Sequence, residues 1–112
     1  MELNLRSADN VKILELAGRF DTYTAGEVRQ WIDEAMAEDP ANIVVNMQGV
    51  DFVDSTALAT LVQGVKNCRQ RDGDLRLCEV QQSVRMVFEL TRLDRFFEIF
   101  SQENEAVKAF NK

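Results

Sequence analysis

The chain has 112 residues, of which 46% are hydrophobic and 29% are charged, a balance typical of one globular domain with its own core. Its formal net charge of -6 disfavours a generic nucleic-acid-binding surface, because such surfaces carry an excess of Lys and Arg. The chain has no histidine, which excludes Ser-His-Asp and Cys-His catalysis, His-containing zinc sites and a histidine pH switch.

Alternating apolar and polar residues predict a β-hairpin at the start of the chain, with one buried face. The apolar positions of this pattern are Leu3, Leu5, Val11, Ile13 and Leu16. A polar break at residues 7–10 separates the two strands, and we expect Gly18 to close the second strand.

Residues 24–38 change to the spacing of an amphipathic helix. Thr24 and Glu27 have the spacing of a capping box, in which each side chain accepts a hydrogen bond from a backbone N–H at the helix start. Pro40 disfavours helical geometry at the residue before it, so we expect the helix to end at Asp39.

The rest of the chain alternates between strand and helix patterns. An apolar run at 43–47 predicts a central strand that is covered on both faces. Gly49 and a turn at Asp51–Asp54 are predicted to separate this strand from a second helix. The remaining predicted elements are a strand at 75–78, a helix at 80–93, a short strand at 97–100 and a helix at 106–110.

This order predicts a single α/β domain spanning residues 1–112. Its mixed, mostly parallel sheet is expected to begin with a β-hairpin and to be flanked by about four helices. Cys68 and Cys78 are too few for a disulfide framework and lack a CxxC spacing, so we expect structural thiols in a reducing compartment. No secretory signal is visible, and the longest charge-free stretch, 55–65, is shorter than the roughly 20 residues of a membrane span. We therefore expect a cytoplasmic protein that does not bind a membrane.

Residues 49–58, which link the central strand to the second helix, are the one junction with unusual chemistry. In an open parallel sheet such junctions lie at the carboxyl edge, where ligands and partners dock. Ser55 and Thr56 would place two hydroxyls at a helix N-terminus, which favours anionic groups. The simpler alternative is that Asp54 or Ser55 is only an N-cap, worth about 1 kcal/mol.

Other chemical sites receive weak support from the sequence. Phosphate-binding glycine motifs are absent, which disfavours a nucleotide-hydrolysing enzyme or a dinucleotide oxidoreductase. Asp51 and Asp54 lack a third acidic neighbour in the sequence, so we expect no metal site and no cofactor. The basic residues Lys66, Arg69, Arg71 and Arg76 are interrupted by acids and lack interleaved aromatics, which favours a solvated helix end over nucleic-acid binding.

Three segments together point to one family. They are LAGRFD followed by Thr24-Ala25, IVVNMQGVDFVDS at 43–55, and VRMVFELTRLDRFFEI at 84–99. These segments resemble the STAS domain family, the sulfate transporter and anti-sigma factor antagonist domain, and most of all its freestanding bacterial antagonists. Ala57 and Ala59 stand where the family motif has two glycines.

The resemblance implies partner switching by a regulatory protein that is not an enzyme. Ser55 would be phosphorylated by an anti-sigma factor that is also a serine kinase, and a PP2C-type phosphatase would remove the phosphate. The unphosphorylated protein would bind the kinase and thereby free a sigma factor. The implied partner-binding residues are Asp21, Asp54, Thr56, Ala57 and Leu58.

Two alternatives remain open at the level of sequence. The first is a STAS adaptor that is not phosphorylated, similar to the STAS subunits of ABC lipid transporters or signalling scaffolds. The second is a small nucleotide-binding enzyme.

The charge distribution bears on the docking surface: residues 1–60 hold eleven acids and four bases, whereas residues 61–112 hold eight acids and nine bases. We therefore expect the surface around Ser55 to prefer a basic partner groove.

Overall fold

A computed structural model describes residues 1–111. Within them the chain forms one mixed β-sheet and four α-helices, in the predicted order. The elements are β1 (Glu2–Ala8), β2 (Val11–Phe20), α1 (Ala25–Ala35), β3 (Asn42–Val53), α2 (Ser55–Arg69), β4 (Asp74–Cys78), α3 (Gln82–Leu90), β5 (Ile99–Phe100) and α4 (Glu103–Lys108). Short 3-10 turns follow α3 and α4.

The five strands lie in the order β1-β2-β3-β4-β5. Strands β1 and β2 pair antiparallel, and every later neighbour pairs parallel. This confirms the predicted α/β fold, a hairpin that opens a mostly parallel sheet. Because β2 and β3 are parallel neighbours, the loops that follow them meet at the carboxyl edge.

Both faces of the sheet are covered, and strand β3 shows this most clearly. Ile43 and Val45 are fully buried in a core shared with α1, α2 and α3. Val44, which points the other way, is buried with Ala106 and Val107 of α4. This packing explains the continuous apolar run that marked the strand.

The strands run further than the sequence pattern predicted. Strand β2 does not close at Gly18 but continues to Phe20, and β3 replaces the predicted turn at 51–54 with strand up to Val53. Two register shifts between β2 and β3 break the alternation that would have shown this. Gly49 permits the close approach at the first shift, because a Cβ there would lie 2.7 Å from the Cβ of Ala17.

Helix α1 departs from prediction at both ends. It ends at Ala35 rather than at Asp39, because residues 37–40 are exposed and no apolar contact holds another turn. The capping box does not form, since Thr24 has no side-chain hydrogen bond to the helix start. Its hydroxyl instead accepts from the Asp21 N–H at 2.9 Å and donates to the Arg19 carbonyl at 2.9 Å.

The two cysteines are buried, and three of the basic residues form ion pairs. Cys68 and Cys78 are free and buried, and burial raises the pKa of each thiol to about 12, so neither is reactive at neutral pH. The arginines of the predicted basic cluster pair with acids: Arg69 with Asp74 (3.2 Å), Arg71 with Asp39 (2.9 Å) and Arg76 with Asp74 (3.5 Å). No helix within residues 1–111 is long and apolar enough to span a membrane.

Candidate functional site

Strands β2 and β3 end side by side, which brings two distant parts of the chain together. Phe20 pairs with Val53, so the next residues, Asp21 and Asp54, leave the sheet at neighbouring points. Asp21 starts the loop to α1, and Asp54 starts helix α2. The carboxyl edge therefore joins the first and the second candidate segments of the sequence.

Asp21 shapes the loop between β2 and α1. Its side chain is only 15% exposed, and its Oδ1 accepts hydrogen bonds from the N–H groups of Tyr23 (3.0 Å) and Thr24 (3.3 Å). Its carbonyl accepts from the Ala25 N–H at 2.8 Å. These bonds fix the turn that leads into α1, as Asp commonly does in turns.

Asp54 is the N-cap of α2. Its Oδ1 accepts from the Ala57 N–H at 2.9 Å, and its Oδ2 accepts from the N–H (2.9 Å) and the hydroxyl (3.0 Å) of Thr22. These hydrogen bonds, that from Ala57 foremost, hold the pKa of Asp54 below its ordinary value of 3.8. Asp54 is therefore ionised at neutral pH, and it ties the helix start to the neighbouring loop.

Thr22 completes this arrangement, and sequence reasoning missed it. Besides bonding to Asp54, its hydroxyl lies 3.1 Å from the hydroxyl of Thr56. Thr22 and Thr56 are separated by 34 residues, so only the parallel pairing of β2 with β3 brings them together. The signal that could have found Thr22 is its place directly after Asp21, at the predicted carboxyl edge. We call Thr22, Asp54, Ser55 and Thr56 the Ser55 junction.

Ser55 is the first residue of α2 and is exposed to solvent. Among residues 1–111, no hydrogen-bond partner holds its hydroxyl, in contrast to those of Thr22 and Thr56. A serine nucleophile needs a base, yet the chain has no histidine, and the hydrogen-bonded Asp54, with its low pKa, is a weak base. Ser55 therefore lacks the neighbouring base that would activate its hydroxyl as a nucleophile.

Two of the predicted partner-binding residues lie in the core. Ala57 is fully buried and Leu58 is 8% exposed, because both belong to the stripe of α2 that packs on the sheet. Their side chains therefore do not reach the surface that Asp54, Ser55 and Thr56 present. Of the two alanines at the family's glycine positions, only Ala59 is exposed.

Asp51 and Asp54 do not form a metal site with a third ligand within residues 1–111. Asp51 is exposed on the last part of β3 and takes no part in the Asp54 hydrogen bonds. In the described part of the chain, the one close group of acids and thiol is Cys78, Glu79 and Glu103, which lies elsewhere. Asp54 is therefore better explained as the cap of α2, and Asp51 as an exposed residue of strand β3.

Comparison with known proteins agrees with the resemblance seen in the sequence. Residues 2–106 match the model of the STAS domain. The chain is 30% identical to the anti-sigma-B factor antagonist of Listeria monocytogenes, over 94% of this chain and 91% of the relative.

Solved structures show the same fold. An anti-sigma factor antagonist from Mycobacterium paratuberculosis superimposes with a TM-score of 0.88 at 22% identity, covering 99% of this chain and 94% of that chain. The phosphorylated form of the Bacillus cell fate determinant SpoIIAA gives a TM-score of 0.72 at 20% identity, covering 96% and 98%. The named relatives are regulators of other proteins rather than enzymes. The chain belongs to the STAS domain family, among the anti-sigma factor antagonists.

Proposed function

We propose that this protein is an anti-sigma factor antagonist whose partner binding is controlled by phosphorylation of Ser55. Without phosphate it binds an anti-sigma factor that is also a serine kinase, and so frees a sigma factor. A PP2C-type phosphatase removes the phosphate and restores binding. The observation that carries the proposal is the exposed hydroxyl of Ser55, which has no hydrogen-bond partner among residues 1–111 and lies at a helix start that Asp54 and Thr22 hold in place.

A phosphate at this position would change the charge of the surface more than its shape. It adds about -1.5 to -2 charges at neutral pH, next to the ionised carboxylate of Asp54. The dipole and backbone N–H groups at the N-terminus of α2 favour negative charge, and beyond the Asp54 cap the first turn contains no acidic side chain. A partner whose basic groups face the other acids of residues 1–60, but whose surface opposite Ser55 is apolar or acidic, would bind the phosphorylated form more weakly. Such a switch needs no large internal rearrangement.

The relatives support the proposal from a second direction. The Listeria protein is named for antagonism of an anti-sigma factor, and SpoIIAA has been solved in a phosphorylated form. The proposed kinase partner would use ATP, which supports a cytoplasmic location for the protein. The acidic excess of residues 1–60 supports a protein partner with a basic surface over nucleic acid.

The test is phosphate transfer to the intact protein. We would incubate it with ATP and each purified kinase-type anti-sigma factor encoded in the source genome, and locate the phosphate by mass spectrometry. We expect one phosphate on Ser55 and none on the Ser55→Ala variant. Ser83→Ala is the matched control, because Ser83 is also an exposed serine in the first turn of a helix.

Two results together would overturn phosphorylation control. One is the absence of phosphate on Ser55 with every kinase, and the other is equal binding of an anti-sigma factor by Ser55→Asp and the unchanged protein. That outcome would favour the constitutive STAS adaptor instead. Binding of a nucleotide analogue at micromolar concentration, lost in Ser55→Ala, would favour the nucleotide-binding alternative.

A further inference from the structure

Two exposed aromatic rings lie close in sequence to the Ser55 junction, and they differ in what covers them. Phe52, near the end of β3, is 37% exposed, and the guanidinium of Arg19 stacks over its ring at 3.9 Å from the centroid. Tyr23, in the loop between β2 and α1, is 95% exposed. Within residues 1–111, no cation or second aromatic ring stacks on Tyr23.

The backbone of Tyr23 is held in place although its ring is free. Its N–H donates to Asp21 Oδ1 at 3.0 Å, and the preceding residue, Thr22, is bonded twice to Asp54. A large ring on a braced loop loses little conformational freedom on binding, since only two side-chain torsions remain to be fixed. Tyrosines in such positions are frequent anchors of protein interfaces.

The charges around Tyr23 indicate what would cover its ring. Asp54 has no Lys or Arg partner in the described part of the chain, whereas Arg19 is already engaged by Phe52 and lies 3.6 Å from Asp21. An aromatic face attracts cations, and more strongly when the cation leaves water. The stack of Arg19 on Phe52 is the same interaction made within the chain.

We propose that Tyr23 is an anchor of the partner-binding surface, and that a cationic side chain of the anti-sigma factor stacks on its ring. This inference rests on the proposed function, since it names a contact of that same surface. It also sets partner choice, because a partner without a cation at this point loses the stack. Phe52 does not compete for this role, since Arg19 already covers its ring.

The test measures dissociation constants of variants with the anti-sigma factor that binds the unchanged, unphosphorylated protein. We expect Tyr23→Ala to weaken binding at least ~10-fold, as for an interface anchor. Tyr23→Phe keeps the ring and should bind within about 3-fold, whereas Tyr23→Leu keeps apolar bulk without the ring and should lose as much as Tyr23→Ala. Leu90→Ala is the matched control, because Leu90 is 82% exposed and lies at the end of α3.

Each outcome separates this inference from the proposed function. Undiminished binding by Tyr23→Ala overturns the anchor, and undiminished binding by Tyr23→Leu overturns the cation stack and indicates an apolar pocket. A protein that binds no anti-sigma factor contradicts the proposed function and the anchor together. Binding that depends on Tyr23, in a protein whose Ser55 never receives phosphate, supports the anchor and contradicts phosphorylation control.

Discussion

Helices α2 and α4 both begin beside carboxylates, but the hydrogen-bond partners of these carboxylates differ. At α4, Glu103 Oε1 accepts from Arg6 at 2.7 Å and from the Asn46 amide at 3.0 Å. Arg6 also pairs with Glu15 at 2.7 Å, and Glu79 accepts from the Glu103 N–H at 3.2 Å. We call these five residues the Arg6 cluster.

Within residues 1–111, the Ser55 junction has no such cation. The donors to Asp54 there are neutral, and they include the N–H and hydroxyl of Thr22 and the N–H of Ala57. In the Arg6 cluster, Arg6 pairs with two of the three carboxylates and joins α4 to the sheet. The Ser55 junction instead presents a carboxylate without a cation and a hydroxyl without a hydrogen-bond partner among residues 1–111. A carboxylate at a helix start stabilises the fold when it pairs with a cation of the same chain. Without such a cation it is available to a partner.

The largest expected effect on stability is at the Arg6 cluster. Arg6→Ala removes two charge-assisted hydrogen bonds from partly buried carboxylates, and should lower the free energy of unfolding by about 1–2 kcal/mol. Urea unfolding would measure it, with Arg95→Ala as control, because exposed Arg95 has no ion pair within residues 1–111. Weaker partner binding by a folded Arg6→Ala protein would contradict the conclusion that the Arg6 cluster serves stability and the Ser55 junction serves binding.

At acid pH, the difference in the free energy of unfolding between the unchanged protein and Arg6→Ala should largely disappear. The hydrogen bond from Arg6, followed by that from Asn46, holds the pKa of Glu103 below its ordinary value of 4.5. The stabilisation is therefore complete above pH 4.5 and is lost as the pH falls through the lower, folded-state pKa. Unfolding free energies of both proteins, measured from pH 7 downwards, should converge below pH 4.5, and a constant difference would contradict the assignment.

At the junction, Asp54→Ala should have a smaller effect on stability and a larger one on binding. It removes the N-cap of α2, which should lower the free energy of unfolding by about 1 kcal/mol. Asp54→Asn keeps a capping oxygen and should unfold within about 0.5 kcal/mol of the unchanged protein. If Asp54→Asn nevertheless binds the anti-sigma factor more weakly, the unmatched charge is what the partner recognises; equal binding would argue against it.

The smallest expected effect is at Thr22. Thr22→Val removes the hydroxyl that bonds to Asp54 and Thr56 at an exposed site, so the free energy of unfolding should fall by about 0.5 kcal/mol. Thr22→Ser keeps the hydroxyl and serves as the control. Slower phosphorylation of Ser55 in Thr22→Val than in Thr22→Ser would show that the brace positions the junction.

Periodicity alone predicted the order of strands and helices, because each element packs on one core and repeats its apolar positions accordingly. It failed where local geometry breaks the period, as in β3, where two register shifts opposite residues 15–19 of β2 hid the strand beyond Gly49. The Arg6 cluster gave no signal, since its members come from positions between 6 and 103 of the chain.

The candidate site divides in the same way. Ser55 and Asp54 follow from a motif that is continuous in sequence, whereas Thr22 enters only through the register of β2 against β3. Ala57 shows the limit of a motif, because it lies on the apolar stripe of α2 and is buried, although the resemblance placed it among the partner-binding residues.

The most direct measurement is the affinity of one anti-sigma factor for the protein before and after phosphorylation of Ser55. We expect phosphorylation to weaken binding by about 5- to 150-fold, the usual range for coupled sites, while the free energy of unfolding stays within about 0.5 kcal/mol. Arg6→Ala should show the same ratio of affinities, since the Arg6 cluster lies outside the switch. Equal affinity of the two forms would contradict the proposal that phosphate on Ser55 controls partner binding at the Ser55 junction.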